Sequence, residues 1–376
     1  MNKKKLVIAT DNYLPRWDGI SRFLSEITPR LAKKYDITII APDFGKTKND
    51  DFKVVKIPVN KLVIGDFQPA KIQYKKIKNI VKDADAVFTQ TIGPIGISAI
   101  IAAKKKSVPL VSFIHSLEWE LFPKSVSTPL LRKFLYPISK LFVRYIYNKC
   151  DLLITPSSNV SDMLNWQKIR TSKKIAHLGV DITKFKKGDK IVAKKMAGFE
   201  PNDFVIGYHG RLGREKDLKT LLRAFIRLRR HHKNVKLLIV GSGVKSIEQL
   251  FQNKENIVYP GPKNDVVPWI NAMDVFVLPS LTETSSLSTL EAMSCEVPVI
   301  ATKVGFVANY IDNNVNGMFF ALQHPYALAK KIQILMEDRA LRNKLGINGR
   351  KTILEKFSWE ISADRIVEHI NSVIEK

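Results

Sequence analysis

Two glutamates stand eight positions apart in the stretch TETSSLSTLEAM (residues 282–293), at Glu283 and Glu291. Only threonine, serine and leucine separate them, so the stretch is polar and contains no proline or glycine. A pair of carboxylates in this setting suits two kinds of chemistry. They are either the acid and base of a hydrolase, or two acceptors that hold the opposite ends of one long ligand.

The spacing of the pair favours the long ligand. The stretch follows the apolar run VFVLPS, and Leu287, Leu290 and Met293 share one helical face. If a helix begins at Ser285 or Ser286, both good first residues, the two carboxylates lie roughly 10–12 Å apart along its axis at ~1.5 Å per residue. The carboxylates of a glycosidase work about 5–9.5 Å apart across one bond, so a hydrolase pair fits poorly.

The predicted ligand has a negative centre and hydroxyls at both ends. The first backbone amides of a helix are unpaired and bind phosphate readily. A nucleoside diphosphate sugar fits this arrangement, with its sugar at Glu283, its pyrophosphate at the helix start and its ribose at Glu291. The alternative is structural: Glu283 as a first-turn charge and Glu291 as a solvated helix residue.

A basic loop offers the countercharge that a diphosphate needs. In GRLGREKDLKT (residues 210–220), Arg211, Arg214 and Lys216 follow the apolar run FVIGYH and precede a leucine-rich helical pattern. An arginine fork and a lysine point charge suit a diphosphate. Loops are often basic without binding anything, which is the alternative for this segment taken alone.

The elements that must position these residues form two similar halves. Eleven short and continuously apolar runs indicate strands covered on both faces, as in parallel sheets flanked by helices. The runs lie at 6–10, 37–42, 54–59, 86–90, 110–115 and 152–157, and then at 204–210, 235–243, 257–261, 275–280 and 298–302. We therefore predict an α/β protein with two Rossmann-like, doubly wound domains. Ligands bind such sheets beyond the carboxyl ends of the strands, where the two segments described above lie.

Charge is unevenly distributed along the chain. The formal net charge is +26, and residues 1–180 hold 31 Lys and Arg against 14 Asp and Glu. Such a balance indicates an anionic partner, either nucleic acid, a phosphorylated substrate or a membrane surface, unless it is only a bias in composition. Residues 123–150 interleave basic with aromatic side chains, a pattern typical of helices at a membrane surface. The alternative is an ordinary helix that covers the first sheet, with Pro137 as a kink.

Several of these motifs together resemble one enzyme family. GRLGREKDL, VGSG and VFVLPSLTETSSLSTLEAMSCEVPVIAT are similar to the donor domain of the family-four retaining glycosyltransferases, and DNYLPRWDGISRF resembles the opening of members that glycosylate membrane lipids. The resemblance implies the GT-B architecture, with two domains that face each other across a cleft. We accordingly predict an acceptor-side domain over 1–184, a nucleotide-sugar domain over 185–356, and a last helix over 357–376 that crosses back to the first domain.

The resemblance also implies roles for individual residues. The residues implied to bind the donor phosphates are Arg211, Lys216, Gly19, Ser286 and Leu287. Those implied to bind the donor sugar are Glu283, Thr284, Ser285 and His115, of which Glu283 and His115 are the candidate catalytic residues. Glu291 is implied to bind the ribose. A histidine there is more often a rim or core residue, but for His115 the position at a strand end and the family pattern together reverse that interpretation.

Some positions depart from the family pattern. Glycine is usual in the family where this chain has Ser286, Glu296 and Phe306, and Ser286 narrows the space expected near the sugar. Asp83 and Asp85 have the spacing of a metal-binding pair, but they fall between a lysine-rich helix and a strand. We interpret them as a structural turn and expect no metal.

The sequence therefore predicts a retaining, metal-independent hexosyltransferase that uses a UDP- or GDP-linked sugar and no cofactor. The predicted acceptor is a lipid or polyprenyl-linked molecule, and the predicted location is the cytoplasmic face of the cell membrane, bound peripherally through the basic first half. Transfer to a soluble sugar or glycan is the alternative. A nucleic-acid-binding protein is a remote one, because no reader module is recognisable. The two cysteines, at 150 and 295, are predicted to be buried and unpaired.

Overall fold

The computed structural model describes residues 3–16, 18–45, 52–61, 68–124, 129–283 and 285–375. The chain forms two compact units. Residues 1–177 together with 359–376 make the first unit, and residues 178–358 make the second. Each unit has its own parallel sheet, so the predicted fold class is confirmed.

The first unit contains a sheet of seven strands within the described residues, in the order β3-β2-β1-β4-β5-β6-β7. The strands are β1 (Lys4–Ala9), β2 (Tyr35–Pro42), β3 (Lys53–Ile57), β4 (Ala86–Thr89), β5 (Leu110–Phe113), β6 (Leu152–Thr155) and β7 (Lys173–Ile175). The helices along this part of the chain are α1 (Gly19–Leu31), α2 (Tyr74–Val81), α3 (Pro94–Lys106), α4 (Glu118–Lys124), α5 (Pro129–Tyr147) and α6 (Ser158–Trp166). All registered strand pairs of this sheet are parallel.

The second unit repeats the scheme with six strands in the order β10-β9-β8-β11-β12-β13. The strands are β8 (Phe204–His209), β9 (Val235–Val240), β10 (Ile257–Gly261), β11 (Val275–Leu278), β12 (Val299–Thr302) and β13 (Met318–Phe320). The helices are α7 (Lys190–Met196), α8 (Leu218–Arg229), α9 (Lys245–Glu248), α10 (Val267–Ala272), α11 (Leu287–Ser294), α12 (Val307–Tyr310), α13 (Pro325–Glu337) and α14 (Arg339–Lys356). A 3-10 turn spans Arg214–Lys216.

The chain order reverses between β8 and β11, which are neighbours in the second sheet. The strands β8, β11 and β12 are buried along their entire length, and β9 is buried apart from Lys236. Ligands of open parallel sheets bind where the strand order reverses, beyond the carboxyl ends of the strands. The loops after β8 and β11 therefore lie at the position where a ligand is expected.

The last helix, α15 (Trp359–Ile374), belongs to the first unit. Its Ser362 hydroxyl donates to the carbonyl oxygen of His177, and the His369 ring contacts the carbonyl oxygen of Ile175. Trp359 is buried beside Phe23 of α1, with ring centroids 6.0 Å apart. These contacts fix the end of the chain on the first sheet.

All eleven predicted strands are present, with ends that differ by at most three residues from those expected. The sequence patterns missed β7 and β13. Each is three residues long and only partly buried, which is too short for a pattern of burial to stand out. Both cysteines are buried free thiols, as predicted.

Candidate active site

The centre of the candidate site is the amino end of α11, just beyond β11. Ser286 is the cap of this helix, and its hydroxyl accepts a hydrogen bond from the backbone amide of Thr289 at 3.4 Å. Leu287 is the first helical residue, so the amides ahead of the first turn remain available to a ligand. The predicted helix start at Ser285 or Ser286 is thus confirmed. Thr284, one of the predicted sugar-binding residues, lies outside the described residues.

Glu283 lies ahead of that helix and is held by two side chains. Its side chain is only 6% exposed. Its Oε1 atom accepts from Lys216 Nζ at 2.6 Å and from the Ser280 hydroxyl at 2.7 Å. The structure therefore brings together the candidate sugar-binding carboxylate and one of the candidate phosphate-binding cations, 67 positions apart in the sequence.

The basic loop after β8 is built to carry this lysine. Its 3-10 turn places Lys216 next to the loop after β11, and the carbonyl oxygen of Glu215 accepts from the amide of Leu281 at 2.7 Å. Arg211 is exposed and pairs with Glu215, while its carbonyl oxygen accepts from the Tyr208 hydroxyl at 2.8 Å. The loop thus offers the partly buried Lys216 ammonium beside Glu283 and two exposed cations, Arg211 and Arg214.

Glu291 is buried, so the alternative in which it is a solvated helix residue is wrong. It is 2% exposed, and its Oε2 atom lies 3.6 Å from Nε2 of His209, the last residue of β8. That ring nitrogen also lies 3.1 Å from the carbonyl oxygen of Ser288. Sequence reasoning missed His209, although a histidine at the end of the apolar run FVIGYH was a signal that could have identified it.

Two further features shape the site around Glu283. The hydroxyl of Ser285 is buried and has no hydrogen-bond partner among the residues that the structure describes. Gly305, in the loop after β12, has φ +50, and a Cβ atom placed on it would lie 1.6 Å from the carbonyl oxygen of Glu283. This close approach requires glycine, so Gly305 helps to set the position of the Glu283 backbone.

Two of the predicted site residues belong to the first unit. Gly19 is the first residue of α1, whose cap Asp18 accepts from the amides of Ile20 and Ser21. His115 follows β5 and is partly exposed, with its Nε2 atom 3.0 Å from Oε1 of Gln90. Burial lowers the pKa of His115 to about 3, so its imidazole is neutral at neutral pH.

Asp83 and Asp85 have the spacing of a metal-binding pair, and Asp85 makes a structural contact. The carboxylate of Asp85 accepts from the backbone amide of Lys5 at 2.7 Å, which ties the approach to β4 to the start of β1. Across the described ranges, no group of three or more side chains is arranged to hold a metal ion.

Comparisons with known proteins agree with this architecture. The family model "Glycosyl transferases group 1" matches residues 189–352, and the model "Glycosyltransferase Family 4" matches residues 17–184. The chain belongs to the family-four glycosyltransferases. Both of the loops that meet at Glu283 lie within the first of these matches, and His115 lies within the second.

Relatives and solved structures of this glycosyltransferase resemble it along most of its length. It is 26% identical to the capsular polysaccharide biosynthesis glycosyltransferase CapM of Staphylococcus aureus, over 98% of this chain and 97% of that protein. It is 24% identical to the alpha-monoglucosyldiacylglycerol synthase of Streptococcus pneumoniae, over 86% of this chain and 76% of that protein. The crystal structure of HepE from Anabaena in complex with UDP has a TM-score of 0.79 and 19% identity, covering 98% of this chain and 100% of the other. These likenesses establish the GT-B fold.

Proposed function

We propose that this glycosyltransferase moves a hexose, with retention and without a metal ion, from a UDP- or GDP-linked sugar to a lipid or polyprenyl-linked acceptor. The reaction is assigned to the cytoplasmic face of the cell membrane. The observation that carries the proposal is the Lys216–Glu283 pair, 2.6 Å long and largely buried, just ahead of the amino end of α11. It places a cation, a carboxylate and backbone amides within one loop cluster.

These groups match the charges of a nucleoside diphosphate sugar. The amides before Leu287 and the Lys216 ammonium bind the pyrophosphate, with Arg211 as a second cation. Lys216 has three N–H donors, so it can keep its bond to Glu283 and still donate to a phosphate oxygen. Glu283 accepts from sugar hydroxyls, and Glu291 accepts from the ribose.

The proposed transfer needs little more than stabilisation of the leaving group. The bond from the anomeric carbon to the phosphate oxygen breaks, and its electron pair stays on the diphosphate. The acceptor oxygen forms the new bond on the same face of the sugar, and its proton passes to the departing phosphate oxygen. Fixed positive groups aimed at that oxygen are worth most in a site shielded from water, which is the role given to Lys216, Arg211 and the helix start. His115 keeps its proposed role as a catalytic and sugar-binding residue.

A lipid acceptor is supported by the outer face of α5. Phe134, Ile138, Leu141 and Tyr145 follow one another at helical spacing and are 59–64% exposed. Two relatives named alpha-monoglucosyldiacylglycerol synthase, from Streptococcus pneumoniae and Acholeplasma laidlawii, point to the same class of acceptor. Outside the segments left undescribed, no helix is long and apolar enough to span a membrane.

Basic side chains accompany this apolar face. Lys140 Nζ lies 4.4 Å from the ring centroid of Tyr136, and Lys149 Nζ lies 4.2 Å from that of Tyr145. Aromatic rings with adjacent cations suit the headgroup layer, and each cation near an anionic leaflet contributes roughly 1 kcal/mol. These contacts support the proposal that α5 and the adjoining Lys149 bind an anionic membrane through both apolar and electrostatic interactions.

Transfer is tested with radiolabelled UDP-glucose and GDP-mannose and lipid extracted from membranes. Glu283→Gln and Lys216→Met are each expected to reduce kcat/KM by about 100-fold or more, since they remove groups that act on the developing charge. Glu337→Gln and Lys351→Met change exposed side chains of the same unit and serve as matched controls. Unchanged transfer in either site variant would contradict the assigned roles.

Membrane association is tested by flotation with anionic vesicles at low and high salt. The triple variant Phe134→Ser, Ile138→Ser, Tyr145→Ser is expected to remain in the unbound fraction. A control with Ile226→Ser and Ile347→Ser removes comparably exposed apolar side chains from the second unit and is expected to float like the wild type. Wild-type protein that never floats, combined with transfer to a soluble glycan, would favour the soluble acceptor instead.

A further inference from the structure

Gln90 is a buried amide that contacts a proposed catalytic residue. Gln90 directly follows β4 and is 1% exposed. Its backbone N–H donates to the carbonyl oxygen of Ala9 at 2.9 Å. The next residue, Thr91, donates its hydroxyl to the Asp11 carboxylate at 2.6 Å. Asp11 in turn accepts from backbone amides at the start of α3. These contacts hold the Gln90 backbone in a fixed position between β1 and β5.

The contact between Gln90 and His115 selects one form of the imidazole. Gln90 Oε1 lies 3.0 Å from His115 Nε2, and a carbonyl oxygen can only accept a hydrogen bond. With the Gln90 amide in this orientation, the hydrogen of the neutral ring is on Nε2, and Nδ1 carries a free lone pair. The burial that lowers the pKa of His115 to about 3 keeps the ring uncharged.

The ring of His115 is also prevented from turning. The His115 ring packs edge-on against Phe23, with centroids 4.8 Å apart. It also packs against Phe113, with centroids 4.6 Å apart and the ring planes tilted by 33°. Its orientation is thus set by packing on two sides and by Gln90 on a third.

The nitrogen of the Gln90 side-chain amide indicates why a glutamine, and not an apolar residue, occupies this position. Its Nε2 atom is buried and makes no hydrogen bond to any residue that the structure describes. A buried donor without a partner destabilises the folded state, and an apolar side chain of the same size would avoid that penalty. The carbonyl contact with His115, rather than packing, accounts for an amide at this position.

We propose that Gln90 is a positioning residue of the transfer reaction: it holds His115 as the Nε2–H tautomer, so that Nδ1 accepts a hydrogen bond from a hydroxyl of the substrate. The inference rests on the proposed function for the role of His115. It assigns Gln90 no contact with the reacting atoms.

The tautomer is measured by NMR on full-length protein labelled with ¹⁵N-histidine. The His115 signals are identified by their loss in His115→Gln. Wild-type protein is expected to show a protonated Nε2 and an unprotonated Nδ1. Gln90→Met keeps the size of the side chain without the acceptor, and it is expected to lose this single tautomer.

Gln90→Glu gives a readout that a purely structural role would not produce. A carboxylate next to the ring favours the imidazolium, so the pKa of His115 is expected to rise by about 1–3 units. A corresponding new ionisation is expected in the pH dependence of kcat. Gln68→Glu is the matched control, because the Gln68 side chain contacts the carbonyl oxygen of Asn60 and not His115.

In the transfer assay, Gln90→Met is expected to lower kcat about tenfold, equivalent to one lost hydrogen bond of about 1.4 kcal/mol. Two results would overturn the proposal: a wild-type ring protonated on Nδ1, or a Gln90→Met enzyme with an unaltered tautomer and unaltered kcat. The NMR result needs no turnover. If the wild type binds and transfers no nucleotide sugar, the proposed function fails, whereas the tautomer is still decided by the spectra.

Discussion

The Lys216–Glu283 pair allows a quantitative test of what holds the loops of the candidate site together. We consider Lys216→Met, which keeps the length of the side chain and removes its charge. Among the residues that the structure describes, the Glu283 carboxylate of the variant keeps only the Ser280 hydroxyl as a hydrogen-bond partner, and its side chain is 6% exposed in the wild type. The change therefore leaves a nearly buried charge without its counter-ion.

The expected loss of stability follows from that geometry. Removing one partner of a buried ion pair costs about 3–5 kcal/mol. Because Lys216 is 17% exposed and Ser280 remains bound to the carboxylate, we expect the lower end, about 3 kcal/mol. In a unit of about 180 residues this corresponds to a fall in Tm of roughly 6–12 °C.

A double-mutant cycle with Glu283→Gln separates the pair from its surroundings. The single variants each leave one polar group poorly paired, whereas the double variant removes both charges at once. We therefore expect the double variant to be more stable than the sum of the single effects predicts, by about 2 kcal/mol. The measurement is calorimetric unfolding of the four proteins in the absence of any nucleotide.

Additive effects, with a coupling energy below about 0.5 kcal/mol, would refute the reasoning. So would a coupling that disappears in moderate salt, because salt screens exposed pairs strongly and buried ones much less. Lys351→Met, which alters a pair with 73% and 54% exposed side chains, is the control expected to change Tm little.

Three further outcomes are expected. Burial raises the pKa of Glu118 to about 7 from 4.5, so the folded state binds more protons than the unfolded one between these values. The free energy of unfolding should then fall by up to about 3 kcal/mol as pH rises through this window, and Glu118→Gln should abolish the fall in urea titrations. Gly305→Ala should displace Glu283 and reduce transfer by about 100-fold, whereas Gly198→Ala, with φ +81 but no atom within 4 Å of the added carbon, should not. Ser286→Ala should remove the cap of α11 and cost about 1 kcal/mol in thermal unfolding, and Ser286→Asn should restore most of it.

The strands of both sheets were predictable because burial on both faces leaves an unbroken apolar run in the sequence. The runs at 204–210 and 275–280 correspond to β8 and β11, and each is followed by a polar segment that carries candidate site residues. The short strand β7 was missed because its two lysines look like solvated residues at the edge of a sheet.

The candidate site was only partly predictable. The sequence indicated Lys216 and Glu283 as separate ligand-binding residues, but it contained no sign that they pair with each other. From the sequence, Glu291 was expected to be either a ribose acceptor or a solvated residue. No pattern indicated that it lies beside His209. Pairing between residues so far apart depends on which strands become neighbours, and local patterns do not specify that.

The sequence by itself determined the class of fold, the two-part organisation and the family, because each depends on local patterns of apolar residues or on contiguous motifs. The tertiary structure decided that β8 lies next to β11, and that β4 lies between β1 and β5. Those neighbours bring Lys216 to Glu283, His209 to Glu291, and Gln90 to His115. The physical reason is that sheet order is fixed by how helices pack across the whole sheet, and burial then sets the charge and the hydrogen-bond partners of each polar side chain.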